Sequence, residues 1–295
     1  MVGFLRLSRA KQPFTGSRVE GTVAKQQAKR RARFRPVTPT GWAVRGLRID
    51  RGELAGCPVW MLSPAAGGSG RVVVGVHGGA YVGEIGWMHW WVYAGIVRGT
   101  GATLIAPIYP LAPVGTAAVV VPQMADLLST LISEHGAEAL GVVGDSAGAG
   151  LAMAAVQELV RRQAATPARL VLISPWLDVT VSDPASADID DPMLDAAGLA
   201  VCGRMWAADL DPADPRVSPL FGPLAGLPPT AVYAGSLDLL YPDTTRLQQR
   251  ARRESADIEF TLREGLLHAW AGIPFLPETR AVRADMLHHL VGDPT

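Results

Sequence analysis

The chain has almost no lysine. Its three, Lys11, Lys25 and Lys29, all fall within the first 29 of 295 residues. A P-loop, a Schiff-base lysine and a Ser-Lys dyad are therefore excluded from everything that follows. Cysteine is nearly as scarce. Cys57 and Cys202 are the only two, which rules out a disulfide framework and points to free buried thiols in a reducing compartment. Net charge is absent too. Twenty-seven basic residues balance 27 acidic ones, which argues against a protein built to grip nucleic acid. No HExxH, paired CxxC or other metal spacing occurs, and no GxGxxG follows a strand-like run. Neither a metal nor a cofactor is expected.

Long unbroken apolar runs are missing as well. Gly99 to Ala125 carries no charged residue, but Pro107, Pro110, Pro113 and Pro122 interrupt it. A spanning helix does not tolerate four prolines at that spacing. The apolar stretch at the N-terminus is broken by Arg6 and Arg9, unlike a signal peptide,. Abundant Ala, Arg, Gly and Pro suit a GC-rich bacterial genome. The expectation is a cytoplasmic bacterial protein.

What is present is a large core. The chain is 48% apolar and 18% charged, with eight tryptophans, so it is not disordered. Charge is unevenly spread. Residues 1–35 hold ten basic residues and one acid, Glu20, for a net +9, and the remainder carries −9. Residues 1–41 thus read as a separate cap or lid segment. Its positive face suits the acidic body or an anionic membrane surface. Residues 42–295 read as one globular domain.

From residue 42 onward, short β-branched runs alternate with helical stretches. Strands are expected at Trp42–Asp50, Cys57–Leu62, Arg71–His77, Ala102–Ile108, Leu140–Gly144, Leu170–Ser174, Thr230–Ala234 and Ile258–Leu262, with Arg51–Gly56 as a turn,. Helices are expected at Trp87–Arg98, Pro122–His135, Ala147–Arg162, Asp243–Arg253 and Thr279–Leu290. This is an α/β pattern with a mostly parallel sheet of about eight strands. Residues 177–228, rich in Asp and Pro, break the alternation. With the one helix-like stretch Ala196–Ala208, they read as a cap insertion.

Two motifs carry chemistry. Gly144-Asp145-Ser146-Ala147-Gly148 is a G-x-S-x-G match between an apolar strand and an Ala-rich helix. That is the setting of a nucleophile elbow, with the serine at a helix N-terminus. Taken alone, it could also be a small-residue turn. His77-Gly78-Gly79-Ala80-Tyr81 ends another apolar strand. A glycine pair there lets backbone amides point at a developing oxyanion.

HGGAY followed by GDSAG resembles the hormone-sensitive-lipase-like (bacterial family IV) branch of the α/β-hydrolases. The later blocks ISPWLD (173–178), DPRVSPL (214–220), LPPTAVYAGSLDLL (227–240) and GLLHAW (265–270) are similar to that family's, in its order. The resemblance implies an α/β-hydrolase fold with a small cap and a serine carboxylesterase of short- to medium-chain acyl esters. It implies Ser146 as nucleophile, Asp238 as acid and His268 as base. The oxyanion donors would be the amides of Gly78, Gly79 and Ala147, and His77 would hold their loop.

The departures are Ala80 for a third glycine, Tyr81 for Phe or Trp, Val114 for a glutamate and Ala149 for a glycine. Tyr81, Trp87, Trp206 and Trp270 are pocket-wall candidates. Asp243 reads instead as helix-start charge, and His89 and His135 as surface or helix-end residues. An amidase, lactonase, deacetylase or non-catalytic binding member of the fold would carry the same motifs. The expected partner is a small acyl ester, with no nucleic acid. A homodimer is compatible with the resemblance.

Overall fold

The computed structural model describes residues 38–292, together with 19–21 and 24. Most of the expected 1–41 cap therefore lies outside the described residues. One described residue from it, Val19, is fully buried against the main apolar cluster. No helix among the described residues is long and apolar enough to cross a membrane.

Eight strands form one sheet: β1 (Leu47–Leu54), β2 (Cys57–Pro64), β3 (Val72–Val76), β4 (Thr103–Pro107), β5 (Leu140–Asp145), β6 (Arg169–Ile173), β7 (Thr230–Gly235) and β8 (Ile258–Arg263). Their order is β1-β2-β4-β3-β5-β6-β7-β8. The β1–β2 and β2–β4 pairs are antiparallel and the rest parallel. The helices are α1 (Trp87–Thr100), α2 (Ala117–His135), α3 (Ala147–Arg161), α4 (Ala196–Ala207), α5 (Tyr241–Glu254) and α6 (Pro277–Val291).

Alternation along each strand feeds two cores. Val72, Val74 and Val76 of β3 face the layer of α2, α3 and α5, with Leu128, Leu151 and Leu247. Val73 of the same strand faces α1 and α6, with Trp90, Tyr93 and Met286. Strands covered on both faces need apolar residues at every position, which is why β3 reads VVVGV without a polar break,.

The sheet order reverses at β3. Its connection through α1 leads to β4 on one side, while β5 pairs on the other and continues into α3 on the opposite face. Such a switch point opens a crevice beyond the carboxyl ends of the strands. HGGAY leaves β3 there and GDSAG leaves β5 there. Register pairs Val76 with Gly144, which puts the two loops side by side.

Two elements, β1 and α2, differ from expectation by more than two residues. Strand β1 is Leu47–Leu54, and the turn shrinks to Ala55-Gly56, with φ of 49° and 70°. Two successive left-handed residues match the twist of the paired strands and permit a two-residue hairpin. Trp42–Gly46 is a run of turns instead, burying Ala43 and Val44. Helix α2 begins at Ala117, five residues before the expected start, and carries Pro122 inside it. The missing amide is tolerated because Val120, Val121, Met124 and Leu128 bury one continuous face,.

The sheet packs closely enough to demand a glycine at its centre. A Cβ at Gly141 of β5 would collide with the Leu290 carbonyl of α6 and lie 3.1 Å from its Cδ1. Gly141→Ala should therefore destabilise the fold by about 2 kcal/mol. Chemical denaturation measures this, and a change within 0.5 kcal/mol, about that of a bland surface substitution, would contradict it.

Candidate active site

Strand β5 ends at Asp145 and α3 starts at Ala147, so Ser146 alone makes the turn. Its φ of 54° and ψ of −124° are a strained conformation for a residue with a Cβ,. The surroundings hold it there. The Ser146 amide donates to the Ile173 carbonyl at 2.8 Å, and the Trp176 amide donates to the Ser146 carbonyl at 3.1 Å. Both flanking glycines are sterically required. A Cβ at Gly144 would lie 2.6 Å from the Gly148 carbonyl, and one at Gly148 would meet the carbonyls of Val76 and His77.

Asp238 follows β7 and is fully buried. Its Oδ1 accepts from the Leu240 amide at 2.9 Å, and its Oδ2 faces His268 Nδ1 at 2.9 Å. His268 sits on the loop after β8 and is buried as well. That loop is tied down by Leu237 N–H to the Leu266 carbonyl, and by the Ala269 amide to the Ser174 hydroxyl, each 2.9 Å. Burial opposes charge on His268. The carboxylates of Asp238, Asp191 and Asp145 outweigh it and raise the imidazole above its ordinary value,. Among the described residues, neither the Ser146 hydroxyl nor His268 Nε2 makes a hydrogen bond.

The other candidates separate cleanly. Asp243 is buried in the first turn of α5, with its Oδ1 2.7 Å from Arg246, as its reading as helix-start charge anticipated. His77 stacks on Tyr109, whose hydroxyl donates to the His77 carbonyl at 2.6 Å. It holds the loop after β3.

That loop is closed by the Gly83 amide on the Gly79 carbonyl at 2.7 Å and by the Ala112 amide on the Tyr81 carbonyl at 2.9 Å. Gly79, Ala80 and Tyr81 all have positive φ. The expectation for Gly78 needs correction. Its amide donates to Asp145 Oδ1 at 3.1 Å, so it is already satisfied and turned from any oxyanion. Gly78 has a steric role instead: a Cβ there would lie 3.0 Å from Ser146 Cβ. Among the described residues, nothing accepts from the amides of Gly79, Ala80 or Ala147.

Asp145 draws in a residue that the sequence reading took for a surface or helix-end one. His89, in the first turn of α1, accepts from the Gly86 amide at Nδ1 (2.9 Å) and presents Nε2 to Asp145 Oδ2 at 3.4 Å. Burial opposes the charge of each partner. Their mutual attraction prevails, raising His89 and lowering Asp145. Only an i to i+3 relation to Gly86 hinted at this, and it requires knowing where the helix begins.

A cavity of about 450 Å³, mouth included, opens beside the elbow. Met88, Val92, Val143 and Ile173 give it apolar walls, and His89, Tyr93, Asp145 and Ala269 complete it. The buried Tyr93 hydroxyl has no partner among the described residues. None of the four expected wall aromatics lines this cavity. Trp87 is 48% exposed and packs against the exposed Trp42. As the first residue of α1, it sits past the buried face formed by Trp90, Tyr93 and Val97. Trp270 is wholly buried against Tyr233. Tyr81 stacks between Trp176 and Trp206, 4.0 Å from the latter, and so packs α4 onto the loop after β3. Among the described residues, no group of three His, Cys, Asp or Glu side chains could hold a metal.

Residues 73–272 match the family model for the α/β-hydrolase fold. The chain belongs to the α/β-hydrolase family. A triacylglycerol lipase of Mycobacterium tuberculosis is 42% identical over 216 residues, 73% of this chain. The match spans 45% of that lipase, under half its length. An acetyl-hydrolase of Streptomyces hygroscopicus is 32% identical over 72% of each chain. A solved esterase of the bacterial hormone-sensitive lipase family superposes with a TM-score of 0.80 at 24% identity, covering 99% of this chain and 97% of the other. That likeness is one of fold. In this chain GDSAG lies after β5, the block with Asp238 after β7 and the block with His268 after β8.

The Asp145–His89 pair is open to direct measurement. In Asp145→Asn, burial acts on His89 without its counter-charge, so the imidazole midpoint should fall from above its usual value to below it. NMR titration of the ring carbons reads this. An unmoved midpoint would mean the pair does not form.

Proposed function

We propose that the protein hydrolyses carboxylic esters of short to medium acyl chains through Ser146, His268 and Asp238. The observation that carries this reading is the buried 2.9 Å contact between Asp238 Oδ2 and His268 Nδ1, on loops beyond the same strand ends that carry the strained Ser146.

The chemistry follows from the geometry. Asp238 holds the Nδ1–H tautomer, which leaves Nε2 free to accept a proton. The Ser146 hydroxyl attacks the ester carbonyl as Nε2 takes its proton. The oxyanion is received by the amides of Gly79, Ala80 and Ala147, in a site where the N-terminus of α3 adds positive potential. The imidazolium then protonates the departing alcohol, leaving an acyl-serine. Water activated by Nε2 releases the acid and restores the serine. Closing the Ser146–His268 gap is the step that substrate binding must complete.

The chain-length reading rests on the cavity. Its mainly apolar walls meet the elbow at Gly144 and Asp145, and the space they enclose is small, which suits a short acyl chain,. The acetyl-hydrolase of Streptomyces hygroscopicus agrees with this.

Hydrolysis of p-nitrophenyl esters from acetyl to palmitoyl tests the reading. Short chains should be cleaved fastest, and Ser146→Ala should lower kcat by at least about 10³-fold while remaining folded. A folded protein that cleaves none of the series, or a fully active Ser146→Ala, would overturn it. The pH dependence has a fixed sign. His268 must be neutral to act as base, and its pKa is raised. Activity should therefore fall as pH drops through a midpoint above about 6.5. A rate flat from pH 8 to pH 5 would contradict a histidine base.

A further inference from the structure

The cap insertion reaches the acid of the site with two buried side chains. Asp191 is 1% exposed and Ser186 is 4% exposed. Asp191 Oδ2 accepts from the Leu239 amide at 2.9 Å. The Ser186 hydroxyl donates to the Leu239 carbonyl at 3.1 Å. Leu239 directly follows Asp238, so the insertion grips both polar groups of the residue next to the acid. The other oxygen of Asp191 accepts from the amides of Met193 and Leu194 at 2.7 and 2.9 Å.

The charge of Asp191 is unusual in its setting. A buried carboxylate is costly unless a cation offsets it. Its hydrogen-bond donors are backbone amides, and no arginine pairs with it among the described residues. Burial and the neighbouring Asp238 carboxylate disfavour its charge and prevail; His268 and the amides of Leu239 and Leu194 favour it. His268 in turn feels Asp238 from the loop after β7, Asp191 from the insertion and Asp145 from the end of β5. With a neutral imidazole, two buried carboxylates repel each other. With an imidazolium, both are compensated. The second situation arises when Ser146 gives up its proton, so the arrangement favours the transition state over the resting site.

We propose that Asp191 and Ser186 are positioning residues: they clamp the Leu239 peptide to fix Asp238, and Asp191 sets a second buried carboxylate beside the Asp238–His268 pair. The insertion is then part of the catalytic machinery as well as a cover. This rests on the Ser146–His268–Asp238 reading above.

The test is the pH profile of kcat and KM for the intact protein, Asp191→Asn, Ser186→Ala and Ser146→Ala, each with its melting temperature. Asp191→Asn should move the acid limb down by about one unit and lower the plateau kcat about tenfold, the rate equivalent of that shift, with KM little changed. Ser186→Ala keeps the charge. It should lower kcat a few-fold and leave the limb in place, and it decides the matter if Asp191→Asn does not fold. An Asp191→Asn protein with a lower melting temperature but an unmoved limb would reduce Asp191 to a structural cap and overturn the proposal. So would a Ser186→Ala protein with unchanged kcat. If Ser146→Ala kept its activity, the triad reading itself would have failed, a result distinct from these.

Discussion

Everything at the site depends on one strained residue. Ser146 is held at positive φ by hydrogen bonds to Ile173 and Trp176, in a space that only glycine leaves open at 144 and 148. That strain costs on the order of 1–3 kcal/mol and persists only because the sheet around it over-determines the turn. The parallel pairing of β3 with β5 brings the HGGAY loop against the elbow, and the packing of α3 on the sheet aims the serine out of it. The loop after β6 contributes the carbonyl and amide that pin it. Remove the close approach of these strands, and Ser146 has no reason to face the crevice.

Around this turn the charges are arranged with one sign. Asp145, Asp191 and Asp238 surround His268, and no lysine or arginine pairs with it among the described residues. The site thus has a standing bias toward the imidazolium, the form that a proton-accepting His268 would take. Asp145 is partly neutralised by His89, which couples helix α1 to the residue preceding the nucleophile. Tyr81, stacked between Trp176 and Trp206, joins the insertion to the oxyanion loop by packing where Asp191 joins it to the acid by hydrogen bonds. The insertion therefore touches both halves of the site.

The backbone of this arrangement was legible in the residues. Continuous apolar runs marked the covered strands, and G-x-S-x-G between a strand and an Ala-rich helix marked the elbow. Asp238 and His268 came through the resemblance of their blocks, in order, to those of the hormone-sensitive-lipase-like family. What was not legible depended on contacts between distant segments. The amide of Gly78 turns to Asp145 because β3 and β5 are in register, a relation that the loop's own composition does not encode. His89 and Asp191 sit in ordinary-looking stretches and matter only through partners 56 and 47 residues away, Asp145 and Asp238. Trp87 and Trp270 looked alike as aromatics near motifs. One is on the surface and the other in the core, because burial is decided by which helix face meets the sheet.

The central claim is that Ser146 is a nucleophile activated by His268. Intact-mass and peptide mass spectrometry after reaction with a p-nitrophenyl alkylphosphonate tests it most directly. The account requires a single adduct, located on Ser146, whose formation slows by orders of magnitude in His268→Ala. An adduct on another residue, or labelling of Ser146 at the same rate without His268, would contradict it.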